Sequence, residues 1–350
     1  MALNKFGPAI DGRFSPDIGQ YFYMVDSNYR TAAQGWSRPD GTGPLDLWNA
    51  RQPANSNETR VFYTPEAGNQ GTTYATQAAA VTAAVDAMID FRGDTLYWTP
   101  GDYNIATAVN MNVPYARWLG REYKTPRYGC SPCVRNTTIT CGVTNALTMS
   151  TANGADGFEI GYIRFVPITA DESVLISAAQ NNLYWHDFMV DFHGVAENAA
   201  TAFCNITADG AGNFSIFDQF TWLVDEAQGP MFDLGGDVRQ VVWSNFLNLI
   251  DEIGAAHVTS LLDIATAGDA SDALLIGPGL IMCGAGTAST TFTQLVEAVA
   301  MTGTISIGLY GIVTPGNSPA SNAISGAEAG DSTSALGYMR TSGGTLYTTA

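Results

Sequence analysis

The chain has 350 residues, enough to bury a large core, and only 14% of them are charged against about 25% in an average soluble protein, with Gly, Ala, Thr, Ser and Asn filling the gap. Its net charge of −18 is confined to one part: residues 136–350 hold 21 acidic residues against Arg164, Arg239 and Arg340, while the first 135 balance 12 against 12. Such an acidic body repels nucleic acid and anionic membranes, and excludes both as partners.

The first residues, Met1-Ala-Leu-Asn-Lys5, are not followed by an apolar core segment, so the chain is read as lacking a signal peptide. No apolar run is long enough to span a bilayer. Five cysteines form no disulfide framework, which suits a protein made in reducing cytoplasm. Cys130-Ser-Pro-Cys133, with Cys141 eight residues on, invites a zinc reading, but all three histidines lie at or beyond His186 and supply no fourth ligand nearby. Buried thiols are the expectation, and no cofactor is expected.

Residues 1–65 read as an extended arm. Phe14, Tyr21, Tyr23, Tyr29, Trp36 and Trp48 are interrupted by Gly-Pro, Ser-Pro and Arg-Pro pairs, and no periodicity persists. Aromatic and Arg-bearing segments favour interface cores, so these six residues are the expected partner-docking contacts. Packing of the arm on its own domain is the plainer alternative.

A second unit is expected over 66–135. Tyr74 to Phe91 is predicted as a helix, with Ala78, Val81, Val85, Met88 and Ile89 on one face, Thr72 or Thr73 as cap and Gly93 as stop. Asp94 to Ile105 then predicts a strand, a Pro-Gly turn and a short strand, and Ala116 to Gly120 a third.

Residues 136–350 carry two interleaved repeats. One sets a polar residue among apolar ones at Ser177, Asn205, Asp233, Asp263, Glu297 and Ser325, with steps of 28, 28, 30, 34 and 28. The other reads Ile160-Gly-Tyr, Trp185-His-Asp-Phe, Phe217-Asp-Gln-Phe, Trp243-Ser-Asn-Phe, Ile276-Gly-Pro-Gly and Ile307-Gly-Leu-Tyr. A coil of about 30 residues that returns one strand spacing further along an axis, about 4.8 Å, stacks like residues in such columns. The expected fold is therefore all-β: a right-handed single-stranded parallel β-helix body over 136–350, with an N-terminal capping α-helix and the extended arm.

The helix, the apolar strand ending in Pro100-Gly-Asp-Tyr-Asn-Ile105, and the strand ending in Leu119-Gly120 resemble the opening of pectate-lyase-like β-helix proteins, including many phage tailspikes and virion proteins. The resemblance covers roughly Thr73–Gly120. It implies that the helix caps the first coil, and that the chain forms homotrimers in a bacteriophage particle.

The sharpest enzymatic candidate is a column five residues beyond Phe188, Phe220 and Phe246, namely His193, Asp225 and Asp251. Carboxyls about 5–5.5 Å apart suit a retaining glycosidase, with His193 tuning a pKa or shuttling a proton. Tailspikes of the resembled kind cleave host polysaccharide. Close carboxylates also suit Ca²⁺, but acidic pairs after a strand more commonly solvate a turn. Trp222 is expected inside rather than stacked on a sugar. The functional expectation is a non-enzymatic virion protein, a capsid decoration or head spike assembled in the host cytoplasm. Its arm contacts capsid or tail proteins, and its body stabilises the shell or meets the host surface. The alternative is a polysaccharide-cleaving tailspike.

Overall fold

The computed structural model describes residues 14–15, 20–24, 60–63, 77–98, 101–120, 137–167, 172–192, 202–224, 229–236, 238–250, 257–258, 262–264, 269–283, 291–292, 296–298, 301–307, 310–313, 324–325, 332–335, 338–340 and 346–348. They are mostly β-structure, arranged chiefly in three parallel sheets of twelve, eight and eight strands. The chain serves the sheets in rotation. Thr95–Tyr97 lies in the first sheet, Gly101–Ile105 in the second and Val109–Asn110 in the third, and Arg117–Leu119 then returns to the first beside Thr95–Tyr97. The same rotation continues to Tyr310–Val313 in the second sheet, Ile324–Ser325 in the third and Ser332–Ala335 in the first. Among the described residues, antiparallel pairing within these elements is confined to the chain ends, Phe14–Ser15 with Gln20–Tyr21 and Tyr338–Arg340 with Leu346–Thr348.

Register follows from burial, because a slip of one residue would turn every apolar side chain outward. Leu96, Trp118, Ile160, Trp185, Phe217, Trp243 and Ile276 occupy one continuous register in the first sheet and are all fully buried. Tyr103, Ile139, Phe165, Val190 and Trp222 do the same in the second. Val109, Leu147, Val174, Cys204, Phe232 and Leu262 do so in the third. All belong to one hydrophobic cluster, so the three sheets share a core. The aromatic column of the second repeat is interior as expected, with Phe188, Phe220 and Phe246 stacked at 5.3 and 5.6 Å. Trp222 is inside too. The indole N–H groups of Trp98, Trp118, Trp185, Trp222 and Trp243 are buried without an acceptor, so ring packing alone holds them.

The turn from first to second sheet is made by one left-handed residue per passage: Tyr162, Asp187, Gln219 and Asn245, with φ of 50–61°, then Gly277 at 110°. A single αL residue redirects the chain sharply. Asp and Asn tolerate that conformation, and glycine adopts it at no steric cost.

Asn205, Asp233, Asp263, Glu297 and Ser325 pair in register on successive strands of the third sheet, as the first repeat requires. Its first member is corrected: Leu175, not Ser177, pairs with Asn205. The strand is Val174–Ile176, which leaves an apolar residue outside, so the polar signal that suggested the alignment falls on Ser177 just past the strand. The two-residue shift keeps the same face, which is why the pattern misled.

The helix also needs correction. It spans Gln77–Asp86 and does not reach Phe91, and its predicted caps at Thr72 and Thr73 lie outside the described residues. Ala78, Val81, Val85 and Met88 are buried as expected, joined by Ala80 and Ala84. Ile89 is 39% exposed and Phe91 71%, because the backbone has left the helix and Phe91 takes a φ of 60°. The carboxylate of Asp94 terminates it, accepting from the Ile89 N–H at 3.0 Å and pairing with the buried Arg92 guanidinium. The helix packs on Gly101–Ile105 and Val109–Asn110.

Phe14, Tyr21 and Tyr23 fall on Phe14–Ser15 and Gln20–Met24, which with Arg60–Tyr63 extend the first sheet. Tyr29, Trp36 and Trp48 lie outside the described residues, as do Cys130 and Cys133.

Candidate functional site

The outward face of the first sheet carries a cluster of ionisable side chains tied together by hydrogen bonds. Parallel pairing sets Arg117 beside Glu159 and Glu159 beside Tyr184 in one outward column. Two residues on, Gly161, His186, Asp218 and Ser244 make the next column.

Arg117 donates to Glu159 through Nε at 2.6 Å and through Nη2 at 3.1 Å. His186 Nε2 lies 3.1 Å from Glu159 Oε1, and its Nδ1 lies 3.0 Å from Asp187 Oδ2. The imidazole is therefore clamped between two carboxylates. Tyr184 stacks on it at 4.6 Å and Tyr162 meets it edge-on at 5.2 Å. Glycine at 161 makes room: a Cβ there would stand 2.6 Å from the His186 ring. On the following strands Asp218 accepts from Ser244 Oγ at 2.8 Å, Asn245 Nδ2 at 2.7 Å and Gln219 Nε2 at 3.2 Å.

These contacts decide the protonation states. Burial works against the charge of His186, but hydrogen bonds to Asp187 and Glu159 outweigh it and raise the imidazole to about 9. Burial also opposes ionisation of Glu159, and hydrogen bonds from His186 and Arg117 overcome it, holding the carboxyl at about 2. Tyr184 is pushed upward by burial and by the charges of Asp218, Asp187 and Glu159. Near neutral pH the cluster is an ion-paired clamp across three adjacent strands. General acid–base work favours a pKa near the working pH, and this clamp is tuned away from it on both sides.

A pH dependence follows. His186 has a raised pKa on folding, so its contribution is complete below about 6.5 and is lost as pH rises through about 9. Glu159 has a lowered pKa, so its contribution is complete above about 4.5 and is lost as pH falls toward 2. Only the buried imidazole titrates between pH 6.5 and 9, where the expected loss is on the order of 2–3 kcal/mol. Urea midpoints across that range are expected to fall for the wild type and to stay flatter for His186→Gln.

His193, Asp225 and Asp251 lie outside the described residues. Their anchors are in place, since Val224 and Ile250, which precede the two aspartates, pair in the second sheet. Arg164 is ion-paired with the buried Asp191 on that sheet. Among the described residues no group of three or more His, Cys, Asp or Glu is arranged to hold a metal ion, and no helix is long and apolar enough to cross a membrane. Cys141 and Cys204 are buried free thiols. Burial pushes Cys141 up to about 12 despite a hydrogen bond with Ser173, and raises Cys204 further still, so neither is a nucleophile at neutral pH.

Sequence reasoning aligned Ile160-Gly and Trp185-His-Asp but did not see the clamp. The signal was present: Glu159 and His186 flank aligned interior residues, and a glycine in the histidine's own column leaves space for its ring.

No family model, curated protein or solved structure matches the chain.

Proposed function

We propose that this chain is a right-handed parallel β-helix whose first coil is capped by the helix Gln77–Asp86, and that it is a non-enzymatic structural protein of a bacteriophage particle, a head decoration or short head spike. In this reading residues 1–65 anchor it to capsid or tail proteins, and the coiled body works as a homotrimer that stabilises the shell or contacts the host surface.

The observation that carries the fold is the strict rotation of the chain through three parallel sheets with one shared core. Parallel crossovers are right-handed in about 98% of cases, which supports the hand. A stack of this kind is stiff, since every strand but those at the sheet ends is bonded on both sides. A structural role is supported by where the charged groups are spent: Arg117, Glu159, His186 and Asp187 tie strands together. The acidic body suits a projecting element that must stay soluble and not cross-link particles. The virion setting itself rests on the resemblance of residues 73–120.

Electron microscopy of purified particles bearing the chain tests the reading. Density for the coiled body is expected on the outside of the head, joined to the shell by the N-terminal segment. Absence of the chain from purified particles would contradict it. Release of reducing sugar from host polysaccharide, abolished by Asp225→Asn or Asp251→Asn, would replace it with the tailspike enzyme.

A further inference from the structure

We infer that the outer face of the first sheet, centred on Tyr184, Ile216, Val242 and Leu275, is the surface through which copies of this chain associate with one another. The inference rests on the oligomeric reading above and assigns it a face.

These four residues sit side by side on successive strands, in register, on the outside of the sheet. Tyr184, Ile216 and Leu275 are 40%, 41% and 42% exposed, and Val242 is half-buried between them. Exposed apolar residues scattered singly need no explanation, but four in one line make a contiguous patch. Phe214, 46% exposed at the bend two residues before Ile216, widens it. The four strands that carry the line, at about 4.8 Å each and about 10 Å across, present an apolar strip of roughly 200 Å². The rest of the ~800 Å² per partner of a stable interface would come from neighbouring strands of the same sheet.

Charge selects the occupant. Residues 136–350 hold 21 acidic and three basic residues, so most surfaces of two copies repel. On this face Arg117 and the doubly bonded His186 stand against Glu159, Asp187 and Asp218, and the first four are already paired within the chain. Among the described side chains the patch thus leaves one carboxylate, Asp218, without a cation, and it lies in an otherwise acidic body, so two copies meet less repulsion here than elsewhere. A basic partner would be drawn to the acidic surfaces instead. Tyrosine at the centre suits an interface, since the ring buries area while its hydroxyl stays solvated.

Sedimentation and light scattering on the full chain test this. The wild type is expected to be oligomeric at micromolar concentration. Ile216→Lys combined with Leu275→Lys is expected to weaken association at least 100-fold, with unchanged circular dichroism, and Asn110→Lys on the exposed face of the third sheet is expected to leave it intact. Should the double variant fold poorly, Tyr184→Ser is the milder test, with an expected loss of about tenfold. An oligomer of unchanged mass in the folded variants overturns the assigned face while leaving the oligomeric reading standing. A wild type that is monomeric at every concentration overturns both, and leaves the particle location to be judged by microscopy.

Discussion

Phe217→Ala is expected to lower the unfolding free energy by about 3–5 kcal/mol, the range for emptying a fully buried aromatic site. Phe217 touches Trp185 at 5.3 Å, Trp243 at 5.7 Å and Phe232 at 4.8 Å, so it joins three consecutive strands of the first sheet and reaches the third. Its ring has no outlet to solvent through which the site could relax, and neighbouring strands are fixed by their ladders on both sides. The adjacent Ile216 points outward, so Ile216→Ala is expected to cost less than about 1 kcal/mol in the isolated chain. Urea unfolding of the two variants measures the contrast directly. Equal losses would mean that residues 216 and 217 do not lie on opposite faces of one strand.

Arg92→Met is expected to cost about 3–5 kcal/mol, because it removes the cation from a buried pair and leaves the carboxylate in place. Arg92 and Asp94 are 4% and 0% exposed in their side chains, and Asp94 also accepts from the Ile89 N–H. This junction links the end of the helix to the first strand of the parallel body. Weakening it is expected to loosen the helix against Gly101–Ile105 and expose Ala80, Val81 and Ala84. Thermal unfolding and hydrogen exchange of residues 78–86 report both effects. The double variant Arg92→Met with Asp94→Leu is expected to recover most of the loss, since the buried charge goes with its partner.

The repeat body was legible because its interior residues are large and recur at strand spacing. Trp185, Phe217 and Trp243 announce one inward column, and alternation turns their neighbours Tyr184, Ile216 and Val242 to the outer face. The third-sheet column was legible from Asn205 to Ser325, where a polar residue sits centrally in each triplet. It failed at Leu175, where the outward residue is apolar and the pattern gave no sign of it. The helix end was misjudged for a similar reason: Ile89 continues the apolar spacing, and only the tertiary contact between Asp94 and the Ile89 N–H shows why the helix has stopped. The clamp was hidden because no single residue in it is unusual. Glu159 and His186 are 27 positions apart, and only the correct register makes them neighbours. Sequence reasoning instead followed the column five residues beyond Phe188, Phe220 and Phe246, namely His193, Asp225 and Asp251, which lie outside the described residues.

Distance measurements between spin labels along the third-sheet column test the coiled fold most directly. With one label at Asn110 and the second moved through Asp233, Asp263, Glu297 and Ser325, the separations are expected to be about 19, 24, 29 and 34 Å, rising by one strand spacing per coil. Separations that stay level, or rise and fall as in an antiparallel sandwich, would contradict the β-helix and the structural role built on it.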